Sequence, residues 1–289
     1  MSLHLTVLIA SLIDGLLMGF VYGLAAMGLT LIWGVMEVIN LSHGALIALG
    51  MFGALLIVQA FGVHPYLAFI LVGLIGLILG IIIYGIAIHR ILDAPDLTTL
   101  LSTFAVSMII IGAGTAIFTT SPRNIDFNLG SISVGSATIL WTKVIAALLS
   151  ALVTALLYLF LYRTRIGKSI RAVSNNRDAA ELMGIPSTRI LALSFGIGTL
   201  LAMSSGALIA TLFPFNILSG GGYELKSFVI GVMGGLGNPA GSLAGGLILG
   251  FIEGLIPNFM DTSWTPVIEF ALFVLILLVR PQGLFGSEE

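Results

Sequence analysis

Residues 65–88 read PYLAFILVGLIGLILGIIIYGIAI, without a charged side chain in the run. Lipid offers the backbone no hydrogen bonds, so a stretch that crosses it is a helix or part of a closed barrel. A helix needs about 20 apolar residues to cross, whereas barrel strands alternate apolar and polar residues over about ten. This run is long and unbroken, so it predicts a spanning helix. Similar runs cover 97–118, 142–162, 189–213 and 264–279. Two more regions are apolar but interrupted. Region 5–61 is broken by Asp14, Glu37 and Asn40-Leu41-Ser42-His43-Gly44, and region 225–257 by Gly234-Gly235-Leu236-Gly237-Asn238-Pro239. The fold reads as all-α: a polytopic transmembrane helix bundle over 1–289, with about eight spans and two broken or re-entrant segments around Asn40 and Asn238.

Composition excludes the competing classes. Of 289 residues, 58% are hydrophobic and only 8% charged, against about 25% charged in soluble domains. Mean hydropathy is +1.16. Eleven Lys and Arg against 13 Asp and Glu leave no basic excess for nucleic acid. There is no cysteine, so disulfides and thiolate metal sites are excluded. No metal site or cofactor is expected, and the bilayer itself is the first partner.

Six of the eleven basic residues fall between Arg163 and Arg189. Short cytoplasmic loops carry such an excess, which places the 163–188 loop, the His89-Arg90 link and the Arg280 tail in the cytoplasm. The 119–141 loop then faces outward. The charges leave the side of the N-terminus open. The first apolar stretch has no Lys or Arg before it and so lacks the leading region of a signal peptide; it reads as a retained anchor.

Gly34-Val35-Met36 precedes Asn40, and Gly231-Val232-Met233 precedes Asn238. Each Asn is followed by small residues, Gly44-Ala45 and Pro239-Ala240-Gly241. Broken helices in corresponding places of two halves point to a transport path near the midplane. Glycines spaced by four, at 15, 19 and 23, at 237, 241 and 245, and at 246, 250 and 254, lie on one helix face and admit a second backbone. Bundle packing, a second subunit or a moving gate contact are the readings for them.

Carboxylates within spans are costly. Asp14 reads as the best buried acid, with no basic partner evident in a nearby span. Glu253 and Glu269 read as hydrated near the outer surface, and Glu37 as lying at a helix end. Asn40, His43, Gly44, Asn238 and Asp14 are the candidates for a translocation path. Asn40 also suits helix capping, and His43 a simple hydrogen-bonding role.

The loop at 163–186 is the most informative segment. Gly167-Lys168-Ser169 lacks the earlier glycine of a phosphate-binding loop, since position 162 is Tyr162. Asp178–Met183 reads as one short helix, with Asn176 as N-cap, acids near its positive end and Gly184 as a left-handed stop before Pro186. Such a helix lies on anionic lipid or enters a groove on a partner.

Asp178-Ala179-Ala180 followed by Gly184 resembles the coupling loop, Glu-Ala-Ala-x-x-x-Gly, of ABC importer permeases. More specifically, the chain resembles the LivH-type permease of branched-chain amino acid ABC importers. The matching pieces are Gly23–Gly34, Asn40–Gly44, Gly167–Ala172, Gly234–Gly241 and Arg280–Gly286, in the family's order over essentially the whole chain. The Ile-x-Leu-Pro tail of the general importer loop is absent after Gly184. The resemblance implies one permease domain with no catalytic residues, moving leucine, isoleucine, valine or another hydrophobic amino acid across the cell inner membrane. It implies a second, non-identical permease, two ATP-binding subunits on the cytoplasmic side and an extracytoplasmic substrate-binding protein. Arg171, Asp178, Ala179, Ala180, Glu181, Gly184, Ile185 and Pro186 would meet the ATPase. The competing reading is an ion-coupled secondary transporter or channel using Asp14, Glu37, Glu253 and Glu269. A membrane-embedded enzyme is remote, for Gly-x-Ser-x-Gly and His-Glu-x-x-His motifs are both missing.

Overall fold

A computed structural model describes residues 2–134, 137–280 and 282–286. Pro281, within the 280–286 match, lies outside the described residues. The helices are α1 (Ser2–Met36), α2 (His43–Phe61), α3 (Pro65–Ile83, continued by a π-turn over Tyr84–Ile88), α4 (Asp96–Phe118), α5 (Trp141–Arg163), α6 (Arg165–Asn175), α7 (Arg177–Leu182), α8 (Ser187–Ile209), α9 (Gly220–Gly234), α10 (Pro239–Leu255) and α11 (Thr265–Val279). Among the described residues eight helical stretches are long and apolar enough to cross a membrane. They match the apolar runs of the sequence. The helix α9 has 15 residues, about 22 Å, which is shorter than a crossing.

The 119–141 loop departs from the all-α expectation. It folds as a hairpin of β1 (Ser131–Val134) and β2 (Ala137–Leu140), with Ile132 opposite Ile139. Arg123 bridges to Phe215 in the segment between α8 and α9. The alternation Ser-Ile-Ser-Val is a strand pattern, too short to stand out in so apolar a chain.

The glycine stripes are used inside the chain. Gly15, Gly19 and Gly23 of α1 face Gly250 and Gly254, Gly246, and Leu243 of α10. A Cβ added at Gly19 would lie 2.7 Å from the Gly246 carbonyl oxygen. Gly241 packs on Gly234, and Gly245 on Ile230, which closes α9 against α10. Close approach of the backbones replaces the hydrophobic driving force that lipid removes. The expectation that the 237–254 stripe offers a surface to a second subunit is therefore corrected: α1 and α9 occupy it.

Candidate translocation and coupling sites

Two regions concentrate the polar chemistry, one inside the bundle and one at the end carrying α6 and α7.

The interior region forms where α2 begins. The helix α1 ends at Met36, and Glu37 takes a left-handed φ of 54°. The chain is non-helical from there to Asn40 and turns at Leu41 and Ser42. His43 Nε2 donates to the Ala25 carbonyl at 2.9 Å. Ala25 is eleven residues before the end of α1, about 16 Å along its axis. Residues 37–42 therefore run back beside α1 before α2 starts. Asn40 Oδ1 accepts from the Ser42 N–H at 3.1 Å and from the Ser42 hydroxyl at 2.6 Å. Thr103 of α4 pins the same stretch, donating to Ile39 O at 3.0 Å and accepting from Leu41 N at 3.2 Å. Asn40 and His43 are both buried. Asn40 Nδ2 and His43 Nδ1 have no hydrogen-bond partner among the described residues. Because a carbonyl only accepts, the bond to Ala25 puts the His43 proton on Nε2 and leaves Nδ1 as an acceptor. Gly44 lies against Gly220, at the start of α9, and against the Glu224 side chain. Gly221 and Gly222, next along α9, have open space beside them. The sequence reading missed Gly220 and Glu224, because only packing sets the start of α9 against the start of α2.

The other path candidates lie elsewhere. Asn238 caps α10, accepting from Ala240 N and Gly241 N at 3.1 Å each, and it donates to Phe285 O at 3.0 Å. The adjacent Gly237 lies against Gly34 near the end of α1. Asn238 is half-buried and Asn40 is buried, so the two asparagines occupy different environments. Asp14 is corrected twice: its side chain is 40% exposed, and it has a basic partner, Lys143 of α5, at 2.6 Å. Lys143 opens α5, on the other side of a non-apolar loop, so sequence proximity did not reveal it. Glu253 and Glu269 are corrected as well. They are not both hydrated surface groups: Lys226 of α9 pairs with Glu253 and lies 3.8 Å from Glu269, which is buried. Lys226 also sits 4.6 Å from the Tyr22 ring centre.

The second region is built from local signals. Thr164 caps α6, accepting from Gly167 N at 3.0 Å. Asn176 caps α7, accepting from Ala179 N at 2.8 Å. Gly184 takes φ +83°, and Ile185 N returns to Ala180 O at 3.0 Å, a helix stop of the left-handed kind. Arg177 binds Asp93 at 2.9 Å and Glu181 at 3.3 Å. Glu181 also accepts from the Ser187 hydroxyl. That bond, reinforced by Arg177, holds the Glu181 carboxyl below the usual carboxylate range. Arg171 donates to Leu161 O at 3.2 Å and stacks on Tyr162, so its charge is engaged within the chain. Ala179 is exposed, but Ala180 is buried at 5%. The outward apolar residues are Leu182 and Met183, at 89% and 83% exposure. A crevice of about 350 Å³ separates α7 from the end of α1, lined by Gly34–Glu37, Val173–Asp178, Leu92 and Leu191. Ser174 reaches across to the Gly34 carbonyl.

Residues 11–277 match the family described as branched-chain amino acid transport system / permease component. The chain belongs to this family. It is 30% identical to the high-affinity branched-chain amino acid transport system permease protein LivH of Salmonella typhimurium, over 100% of this chain and 99% of that one. The BraD permease of Pseudomonas aeruginosa is 29% identical over 96% and 95% of the two chains. The fructose import permease FruG of Bifidobacterium longum is 30% identical, over 87% of this chain and 77% of its own. No solved structure matches. The resemblance read from Gly23–Gly34, Asn40–Gly44 and the later motifs is borne out, and this permease is a multi-pass membrane protein. The two similar strings lie at helix ends: Gly34-Val35-Met36 closes α1, Gly231-Val232-Met233 runs into the end of α9, and a turn with an Asn follows each.

Proposed function

We propose that this permease, a single domain over 1–289, imports branched-chain or other hydrophobic amino acids, driven by ATP hydrolysed on separate subunits. The observation that carries the coupling half of this reading is α7: a helix capped at both ends, with Leu182 and Met183 presented outward. A short apolar edge held on a rigid stalk suits a groove on a partner. Asp178, Ala179, Glu181, Gly184, Ile185 and Pro186 shape that contact. Ala180 and Arg171 position it from inside, and the 163–188 loop is cytoplasmic. The translocation route runs past the start of α2, where Asn40, His43 and Gly44 meet Gly220 and Glu224 of α9. The broken segment 37–42 is re-entrant at this depth, while Asn238 and Asp14 flank the route at its two ends. The partners are two ATP-binding subunits, a second permease of similar sequence and a binding protein outside. Chemistry resides on the ATPases, so the permease is not itself an enzyme.

The test is uptake into proteoliposomes holding the full complex. Accumulation that follows internal ATP and is indifferent to ion gradients supports the reading. Accumulation driven by an ion gradient without ATP overturns it. Competition among leucine, valine, fructose and urea identifies the substrate class.

A further inference from the structure

A groove of about 610 Å³ runs between α3, α5 and α8, and its lining is almost wholly hydrocarbon. On α5 the lining extends from Leu149 to Phe160, about 16 Å along the helix axis. That is close to one leaflet, half of a hydrocarbon core about 30 Å thick. The groove therefore has the length of an acyl chain lying in one monolayer. It reaches the α6 end of the bundle, where Ile166 is its last lining residue.

Close to that end in the sequence stand three cations. Arg165 is adjacent to Ile166, Arg163 stands three residues after Phe160, and Arg189 stands one turn before the lining residue Leu193. All three are exposed, and their guanidinium groups have no ion pair or hydrogen bond among the described residues. This contrasts with Arg171 and Arg177 nearby, which are engaged within the chain. An apolar slot of one-leaflet length, with unpaired guanidinium groups at the interfacial end, matches a phospholipid in both of its parts. The planar fork of arginine suits a phosphate. A zwitterionic lipid satisfies the slot but gains less from the rim.

We propose that the α3–α5–α8 groove binds one acyl chain of an anionic phospholipid whose phosphate is held by Arg165 and Arg189. None of Asn40, His43 and Gly44 lines the groove, so this holds or fails apart from the transport reading.

The experiment uses the purified full complex, exchanged with phosphatidylglycerol or phosphatidylcholine of matched chains and weighed by native mass spectrometry. Phosphatidylglycerol adducts should survive preferentially. The preference should fall roughly fivefold for each arginine lost in Arg165→Gln and Arg189→Gln, the scale of one cation against anionic lipid. Arg90→Gln, which removes an exposed cation that is not beside a lining residue, should leave the preference unchanged. Leu156→Trp, which fills the slot, should reduce retention of both lipids. Equal retention of the two lipids, or an undiminished preference in the double arginine variant, overturns the proposal. A photo-crosslinker at Leu156 separates the remaining occupant: lipid adducts support the proposal, and capture of a second permease chain overturns it.

Discussion

Lys226 of α9 touches Glu253 of α10 and lies 3.8 Å from Glu269, the one residue of α11 that is buried. A helix that otherwise faces outward is tied to the bundle through its carboxylate. One cation against two carboxylates is a costly arrangement to break, because removing a partner leaves buried charge uncompensated, at about 3–5 kcal/mol for a fully buried pair. Lys226 keeps some exposure, so the lower end of that range applies. Lys226→Met is expected to lower the thermal midpoint in detergent clearly. Lys226→Met with Glu253→Gln and Glu269→Gln should recover most of the loss, because no charge is then left behind. Unfolding followed by intrinsic fluorescence checks both.

The contact between α1 and α10 has no room for side chains. Gly250→Leu places atoms against the Gly15 carbonyl and 2.6 Å from Gly19 Cα. Backbone cannot yield as a flexible side chain does, so folded yield should collapse. Gly112→Leu on α4, with nothing within 4 Å of its added Cβ, should fold normally. Size-exclusion profiles of the two variants decide the matter.

At α7 the expected effects separate by burial. Ala180→Trp forces bulk into the chain's own interior and should loosen the loop itself, seen as faster proteolysis between α6 and α8. Leu182→Asp paired with Met183→Asp leaves α7 intact and should strip the ATPase from membranes. Gly184→Ala meets no steric neighbour, so its cost is the left-handed backbone alone, about 1–2 kcal/mol. ATPase retention in washed membranes, measured beside the protease pattern, distinguishes the three.

Glu181 supplies a pH dependence. Its carboxyl is held below the ordinary range first by the Ser187 hydroxyl and then by Arg177. A depressed folded value means stability present above about pH 4.3, the ordinary glutamate value, and lost as pH falls through the folded value. Ordering of the α7–α8 junction should therefore weaken on acidification below that point. Ser187→Ala should move the titration upward. Carboxyl-labelled glutamate followed by NMR reads the midpoint directly.

Asn176→Ala removes the cap of α7 and should cost about 1 kcal/mol of local stability. Amide exchange at Ala179, whose N–H the cap accepts, is the measurement. Unchanged protection would mean that Arg177 and Asp93 hold α7 without the cap.

The sequence alone determined what is local. Spans follow from the length of apolar runs, so the predicted 97–118, 142–162 and 264–279 reappear as α4, α5 and α11 within a residue or two. The caps at Thr164 and Asn176 and the left-handed stop at Gly184 also satisfy their own few neighbours. Of these, Asn176 and Gly184 were legible, and α7 was drawn within one residue, as Asp178–Met183 against Arg177–Leu182. The family was legible because its motifs are short local strings, among them Asn40–Gly44 and Gly234–Gly241 at helix ends, where backbone chemistry restricts the residue. What only tertiary structure decided is which face of each helix turns inward and whom it meets. A helix apolar on every side carries little rotational signal, so nothing in α5 announced that Lys143 meets Asp14, 129 positions away. Nothing in α9 announced that Lys226 meets two carboxylates, or that Glu224 lies beside Gly44. The glycine stripes showed that backbones would meet, and the tertiary fold chose α1 against α10. Ala180 shows the limit most simply. Its place in the helix was read correctly, while its burial depended on how α7 is seated on the bundle.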